Sequence, residues 1–182
     1  MLYRFFFKAF FAKLDPEFAH ELVVTALRFL SGVGVIRAGK ARDEIGVLGL
    51  QFENRLGMAA GFDKNGILIK ALHALGFGHV EIGTVTPLPQ LGNPKPRLFR
   101  LPKNQSLINR MGFNNEGAVS VAARIAKLRK TNQRLPIIGV NIGKNKTTSQ
   151  ELAAEDYRLA AKTLAPVADY LVVNVSSPNT AG

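Results

Sequence analysis

Residues 59–66 read Ala59-Ala60-Gly61-Phe62-Asp63-Lys64-Asn65-Gly66, and this turn separates two parallel-sheet architectures. Before it lies a short apolar run, Leu56–Ala60, that reads as a buried strand; after it, Asn65–Leu75 reads as a helix closed by Gly76. A doubly wound dinucleotide-binding fold places G-x-G-x-x-G at this turn, and the spacing is missing. Downstream, His79–Val85 reads as a strand, Gly117–Arg129 as a helix, Pro136–Asn141 as a strand, Gln150–Leu164 as a helix and Asp169–Val175 as a strand. Upstream, residues 47–52 with Asn54 read as a small hairpin. Alternation of this kind means parallel strands joined by right-handed crossovers. The four strand ends lead into AAGFDKNG, GTVTP, NIGKN and NVSSPNT. Polar residues gathered at the C-terminal ends of successive strands are the pattern of a (β/α)8 TIM barrel. The expectation is therefore α/β, with about the first four βα units of a barrel that needs roughly eight units and about 250 residues. At 182 residues the chain reads as incomplete at its C-terminus.

Composition sets outer bounds. A chain that is 47% hydrophobic with 17 Gly and 9 Pro reads as an ordinary globular protein. It has no Cys, which excludes a disulfide scaffold, a thiolate metal site and a cysteine nucleophile, and no metal ligand set is read. The formal net charge of +11 favours anionic partners. No run of Lys and Arg is dense enough to read as a nucleic-acid patch, so nucleic acid is not expected as a partner.

The first residues, MLYRFFFKAFFAKL, hold five Phe between positions 5 and 11 but are interrupted by Arg4, Lys8 and Lys13. No apolar run approaches the roughly 20 residues of a membrane span, and neither the h-region nor the cleavage site of a secretory signal is present. Asp15-Pro16-Glu17 then reads as a helix start, with Asp as N-cap and Pro in the first turn. Phe18, Leu22, Ala26 and Phe29 follow at near-helical spacing, and Ser31-Gly32 ends the run. The chain is thus expected to open with two short helices over 1–36, followed by a polar link and a main domain over 45–182. The first helix reads as an interfacial element, its Phe side chains entering a lipid boundary while Arg4 and Lys8 reach an anionic membrane surface. Without an Arg/Ser-rich transit stretch, the cytoplasmic side of a bacterial inner membrane is the expected location, with the mitochondrial inner membrane as the alternative.

Six segments, taken together and in order, carry a specific resemblance: Ala59–Lys64, Glu81-Ile82-Gly83-Thr84-Val85-Thr86-Pro87, Pro96-Arg97-Leu98-Phe99-Arg100, Ile108–Asn115, Asn141-Ile142-Gly143-Lys144-Asn145 and Asn174–Thr180. The chain resembles the N-terminal half of class 2, quinone-dependent dihydroorotate dehydrogenases. Ser177 stands where the soluble class 1 enzymes carry a cysteine base, and the N-terminal extension matches the class 2 element. The resemblance implies oxidation of dihydroorotate to orotate in pyrimidine synthesis, with FMN taking the hydride and ubiquinone or menaquinone as final acceptor. It gives the base role to Ser177 and places Lys64 near both flavin and substrate. Ala60, Gly61, Phe62, Asp63, Thr84, Asn141 and Asn174 would hold FMN. Asn109, Arg110, Met111, Gly112, Phe113, Asn174, Asn179 and Thr180 would line the substrate, and His20 and Arg100 would lie near the quinone.

The chemistry agrees with these residue types. Small residues at 60 and 61 let the backbone approach a flat ring, and Asn side chains match the amide edges of a pyrimidine. A lysine near the flavin would stabilise its reduced anion. Two rivals stand beside this reading: a related flavin barrel acting on another dihydropyrimidine, and a non-catalytic half-barrel fragment whose activity is lipid association. The phosphate site of such barrels is built from the loops after strands 7 and 8. Residues 1–182 alone are therefore expected to retain FMN poorly and not to turn over. Flavin retention by this chain, compared with one carrying the rest of a barrel, checks it; equal retention would refute the expectation.

Overall fold

The computed structural model describes residues 7, 11–36, 43–131 and 133–175. After a 3-10 turn at Phe11–Lys13, helix α1 (Pro16–Gly32) starts where expected, because the Asp15 carboxylate accepts from the backbone N–H groups of Glu17 and Phe18 at 3.0 and 2.9 Å. The first of the two expected helices falls almost wholly outside the described residues. Strands β1 (Ile45–Val47) and β2 (Leu50–Phe52) form the expected hairpin. Its turn residues Leu48 and Gly49 both have positive φ, 49° and 80°, the pairing that matches the twist of a two-residue hairpin.

A four-stranded parallel sheet follows, in the order β3 (Gly57–Met58), β4 (His79–Val85), β7 (Ile137–Ile142), β8 (Tyr170–Val173). Helices α2 (Ile69–Ala74), α3 (Ala118–Arg129) and α4 (Ala153–Leu164) connect the strands and cover one face. That face carries the core: Val80, Ile82 and Val85 of β4 and Ile138, Val140 and Ile142 of β7 meet Leu72, Val121, Ile125 and Leu164, each at most 1% exposed. Burying each such side chain stabilises by about 1.5–3 kcal/mol. The sheet corresponds to the four expected βα units. It is open: β3 and β8 are its edges, and no closed barrel forms among the described residues, since four strands cannot complete a circumference that takes about eight.

Two local expectations need correction. Helix α2 begins at Ile69 rather than Asn65, because residues 63–68 wrap around the Asp63 carboxylate. That group accepts from the N–H groups of Asn65, Ile67 and Leu68 at 3.3, 3.0 and 2.7 Å, and a side-chain acceptor of this kind diverts backbone donors from a helix. The second is a hairpin the sequence did not suggest. Strand β5 (Leu98–Leu101) turns through Pro102–Asn104 into β6 (Ser106–Asn109) and stands outside the main sheet.

Helix α1 docks with its regular apolar stripe outward. Phe18, Leu22 and Phe29 are 54%, 47% and 67% exposed, whereas Glu17 and Ala19 are buried and Val24 and Leu27 pack against the core. Ionic contacts fasten the start of the inner face. Arg97, between β4 and β5, donates from Nη2 and Nε to the two Glu17 carboxylate oxygens at 2.7 and 3.1 Å, and from Nη1 to the carbonyls of Leu91 and Asn93. Lys95 adds a contact to Glu17 at 3.2 Å. Among the described residues no helix is long and apolar enough to cross a membrane.

Removing one partner of a buried pair costs about 3–5 kcal/mol. Glu17→Ala is expected to lower the unfolding free energy by about that amount in urea titrations; a loss below about 1 kcal/mol would show that Arg97 finds another partner. The Arg97 hydrogen bonds hold the Glu17 carboxyl below its ordinary value of 4.5, against the opposing effect of burial. A depressed carboxylate contributes stability that is complete above its unfolded pKa and is lost as pH falls through the folded one. The stability gap between the wild type and Glu17→Gln should therefore be full near neutrality and shrink below pH 4.5.

Candidate functional site

Each parallel strand delivers its last residues to one edge of the sheet, and there the polar side chains meet. Thr84 from β4, Asn141 from β7 and Asn174, just past β8, form one row. Thr84 Oγ1 donates to Asn141 Oδ1 at 2.6 Å, and Asn174 Nδ2 donates to Thr84 Oγ1 at 3.1 Å and to Asn141 Oδ1 at 3.3 Å. Thr84 and Asn141 are 5% and 7% exposed. Beneath them, Asn141 Nδ2 donates to Glu81 Oε1 at 3.0 Å, and the Tyr157 hydroxyl of α4 holds the Asn174 carbonyl at 2.8 Å.

The first βα loop is stitched to the same edge. Gly61 N–H donates to the Gly83 carbonyl at 2.8 Å, and Gly83 N–H donates to the Asp63 carbonyl at 3.1 Å. Gly83 has φ +111°, and a Cβ there would fall onto the Asn141 carbonyl oxygen, so only glycine lets β4 and β7 close up at this point. Gly61 has φ +104° and open space where its Cβ would stand. Phe113, at φ +50°, brings its ring to 3.0 Å from the position of a Gly143 Cβ, beside the Thr84 methyl group. Asn115 and Asn145 are also buried and support the site. Both bond Thr86 Oγ1, Asn145 also bonds Gln90, and Gln90 holds the Gly112 and Phe113 carbonyls.

A cavity of about 790 Å³ opens beside this edge, between α1, the 60–65 loop and the β5–β6 hairpin. Glu17, His20 and Val24 wall one side; Ala60, Gly61, Phe62 and Lys64 the second; Leu98, Arg100, Asn109 and Met111 the third. The His20 ring stands edge-on to Phe62 with centroids 5.0 Å apart. Burial and the neighbouring Lys64 charge pull the His20 pKa below its ordinary value, so the imidazole is neutral near pH 7. Lys64 is half-buried, has no hydrogen-bond or ion-pair partner among the described residues, and is pulled down by burial and then by Arg97. The Glu17 carboxylate on the facing wall pulls the other way but forms no ion pair with Lys64 among the described residues, so a cation stripped of part of its water stands ready to receive an anionic group.

The residues singled out in the sequence thus divide. Ala60, Gly61, Phe62, Lys64, Asn109, Met111, His20 and Arg100 line one cavity, and Thr84, Asn141 and Asn174 form the adjoining row. Asp63 lies in the cavity wall with its carboxylate turned to backbone N–H groups, where burial raises its pKa against their pull. Arg110 turns outward, donating to the Pro96 carbonyl with its guanidinium 5.6 Å from the Phe99 ring. Ser177, Asn179 and Thr180 lie outside the described residues. The sequence marks Glu17 only as part of a helix start and gives Glu81 and Tyr170 no site role. The one available signal is a carboxylate set between the apolar Val80 and Ile82 of a strand. Among the described residues there is no cluster able to hold a metal ion.

Gly83→Ala should lose about 1–3 kcal/mol of stability, the usual cost of a strained backbone position, because both its φ and the Asn141 carbonyl oppose a methyl group. An unchanged thermal midpoint would mean that the β4–β7 approach is not tight.

Residues 44–182 match the protein family described as Dihydroorotate dehydrogenase. Along its whole length the chain is 52% identical to a Nocardioides protein named dihydroorotate dehydrogenase (quinone), covering 53% of it. Over 93% of its length it is 54% identical to a protein of the same name from Dichelobacter nodosus, covering 49% of that one. A crystal structure of DHODH from Eimeria tenella in complex with ferulenol superposes with a TM-score of 0.79 at 45% identity, over 92% of this chain and 46% of that one. The chain therefore spans about half the length of the curated relatives it matches. With a family match over most of its residues and identities near one half, the chain belongs to the dihydroorotate dehydrogenase family.

Proposed function

We propose that this chain supplies the substrate-side and quinone-side half of a site that oxidises dihydroorotate to orotate, with FMN as hydride acceptor and a membrane quinone, ubiquinone or menaquinone, as final acceptor. The observation that carries the reading is the Lys64 ammonium, unpaired among the described residues, in a cavity that α1 walls on its other side and whose Gly61 wall is hydrogen-bonded to the strand end leading into the Thr84–Asn141–Asn174 row. The residues fit a flavin. Open space over Gly61 admits a flat ring, and the row offers the mixed donors and acceptors that an N–C=O edge requires. When bound, FMN would take the hydride from C6 of the substrate.

The chain's own residues do the rest. Lys64 offers its charge to the substrate carboxylate or to the reduced flavin, and its lowered pKa reflects the dry surroundings that make such an interaction strong. Asn109, Met111 and Phe113 shape the substrate's place, with Asn179 and Thr180 following in the last loop. Ser177 takes the proton from C5. A serine hydroxyl needs an onward path for that proton, and Ser177 stands three residues past Asn174. His20 on the α1 wall and Arg100 on the hairpin wall face the quinone; Arg100 is tied to the Leu14 carbonyl, which links the hairpin to the start of α1. The outward stripe of Phe18, Leu22 and Phe29 suits an apolar boundary, and together with the basic first residues it supports a place on the cytoplasmic face of a bacterial inner membrane, with the mitochondrial inner membrane as the alternative.

The test is an anaerobic absorbance spectrum before and after adding dihydroorotate, on this chain and on a product extended to the length of its relatives. Bleaching of a flavin band in the extended product supports the reading, and a flavin band that dihydroorotate leaves unchanged sinks it. In that product, Ser177→Ala should slow flavin reduction by roughly 10²–10⁴-fold, the usual contribution of a general base; a normal rate would remove Ser177 from the chemistry.

A further inference from the structure

Glu81, Gly139 and Tyr170 occupy one row across three strands, since Glu81 is in register with Gly139 in the β4–β7 pairing and Gly139 with Tyr170 in the β7–β8 pairing. They lie on the sheet face opposite the core. Gly139 is the gap in this row: a Cβ there would fall inside the Tyr170 ring. Because the gap is open, the Tyr170 ring crosses β7 and its hydroxyl donates to Glu81 Oε2, at a long 3.4 Å. Burial, and then the Glu81 carboxylate, push the Tyr170 pKa up to about 12, so the phenol keeps its proton. The other carboxylate oxygen, Oε1, accepts from Asn141 Nδ2 at 3.0 Å.

An ionised carboxylate has only acceptors. It therefore admits one orientation of the Asn141 amide, because the flipped amide would set oxygen against oxygen. With Nδ2 committed to Glu81, Asn141 Oδ1 must face Thr84 and Asn174, and both donate to it. The Thr84 hydroxyl then spends its one proton on Asn141 and accepts from Asn174 Nδ2. Every donor direction in the row follows from a negative charge placed one level below. Among the described residues, the second Nδ2 hydrogen of Asn141 and one lone pair of Thr84 stay unused, an adjacent donor and acceptor suited to the N–C=O edge of a flat heterocycle.

We propose that Glu81, steadied by Tyr170 through the space that Gly139 leaves open, is the positioning residue that sets the donor and acceptor polarity of the Thr84–Asn141–Asn174 row. The polarity is a property of the protein itself. Its consequence for a ligand rests on the flavin reading given above.

The experiment follows the Asn141 side-chain amide by ¹⁵N NMR in the unliganded chain and, in a product extended to the length of the chain's relatives, titrates each variant with FMN by fluorescence quenching. Glu81→Gln keeps shape and packing but replaces an acceptor-only group with one that also donates. It should leave the unfolding midpoint in place while speeding exchange of the Asn141 Nδ2 hydrogens about 10-fold, the effect of losing one charge-assisted hydrogen bond. Tyr170→Phe, which keeps the ring, should produce a smaller change in the same direction. Unchanged exchange in Glu81→Gln overturns the proposal, as does a loss of exchange protection that only tracks a lowered midpoint. FMN affinity that falls about 10-fold alongside the exchange change supports both the positioning role and the flavin reading. Exchange that changes as expected, with FMN bound equally by both forms or by neither, supports the positioning role and counts against the flavin reading alone.

Discussion

The pairing of β4 with β7 is the constraint on which the rest of the structure depends. Consecutive residues of a strand face opposite sides of its sheet, so their register settles two layers at once. Val80 and Ile82 meet Ile138 and Val140 on the helix-covered side, where all four are fully buried. Glu81 and Asn141 are left on the other side, joined by a hydrogen bond. A slip of β4 by one residue would put the Glu81 carboxylate into the apolar layer and turn Val80 and Ile82 out, and a slip of β7 would do the same with the Asn141 amide, Ile138 and Val140. The register then shifts between Ile82 and Val85, at Gly83, where the close approach of the two strands leaves no room for a side chain. Past that irregularity Thr84 reaches Asn141 and the polar row begins.

A second constraint sets what faces the row. Glu17 and Arg97 lie 80 residues apart in sequence, and their pairing draws α1 over the mouth formed by the strand-end loops and the β5–β6 hairpin. Neither charge tolerates that depth alone. Together they turn a helix and a hairpin into two walls of one cavity, with Lys64 on the third. Glu17 is satisfied by Arg97 and Lys95, so it neutralises those charges and leaves Lys64 without an ion-pair partner among the described residues. The arrangement separates the cation that holds the helix from the cation that faces the cavity.

Much of the layered fold was legible because its signals are local. Strand β4 and helix α3 follow from apolar periods, and α1 starts at Asp15 because one carboxylate caps two adjacent N–H groups. Where a local signal met a competitor, the reading failed: residues 65–68 adjoin the apolar run of a helix, but the Asp63 side chain claims their donors. The β5–β6 hairpin carried no clean alternation, since β6 is exposed along its whole length. Much of the candidate site was legible as residue types at strand ends. Its supporting network was not, because a glycine in a strand says nothing of the tyrosine that lies across it in the next one.

The sequence by itself determined the alternation of strands and helices, the strand ends that carry the polar residues, and the family, because each is written in contiguous residues or in an ordered set of short motifs. Tertiary structure alone decided which face of α1 turns inward. The stripe of Phe18, Leu22 and Phe29 has the spacing of a core face and stays exposed, because the opposite face carries Glu17 and Arg97 is where Glu17 must go. It also decided that Lys64 is unpaired among the described residues and that Asn141 points its amide toward Glu81. Burial, pairing and amide orientation arise between residues distant in the chain, and they exist only once the strands and helices have packed.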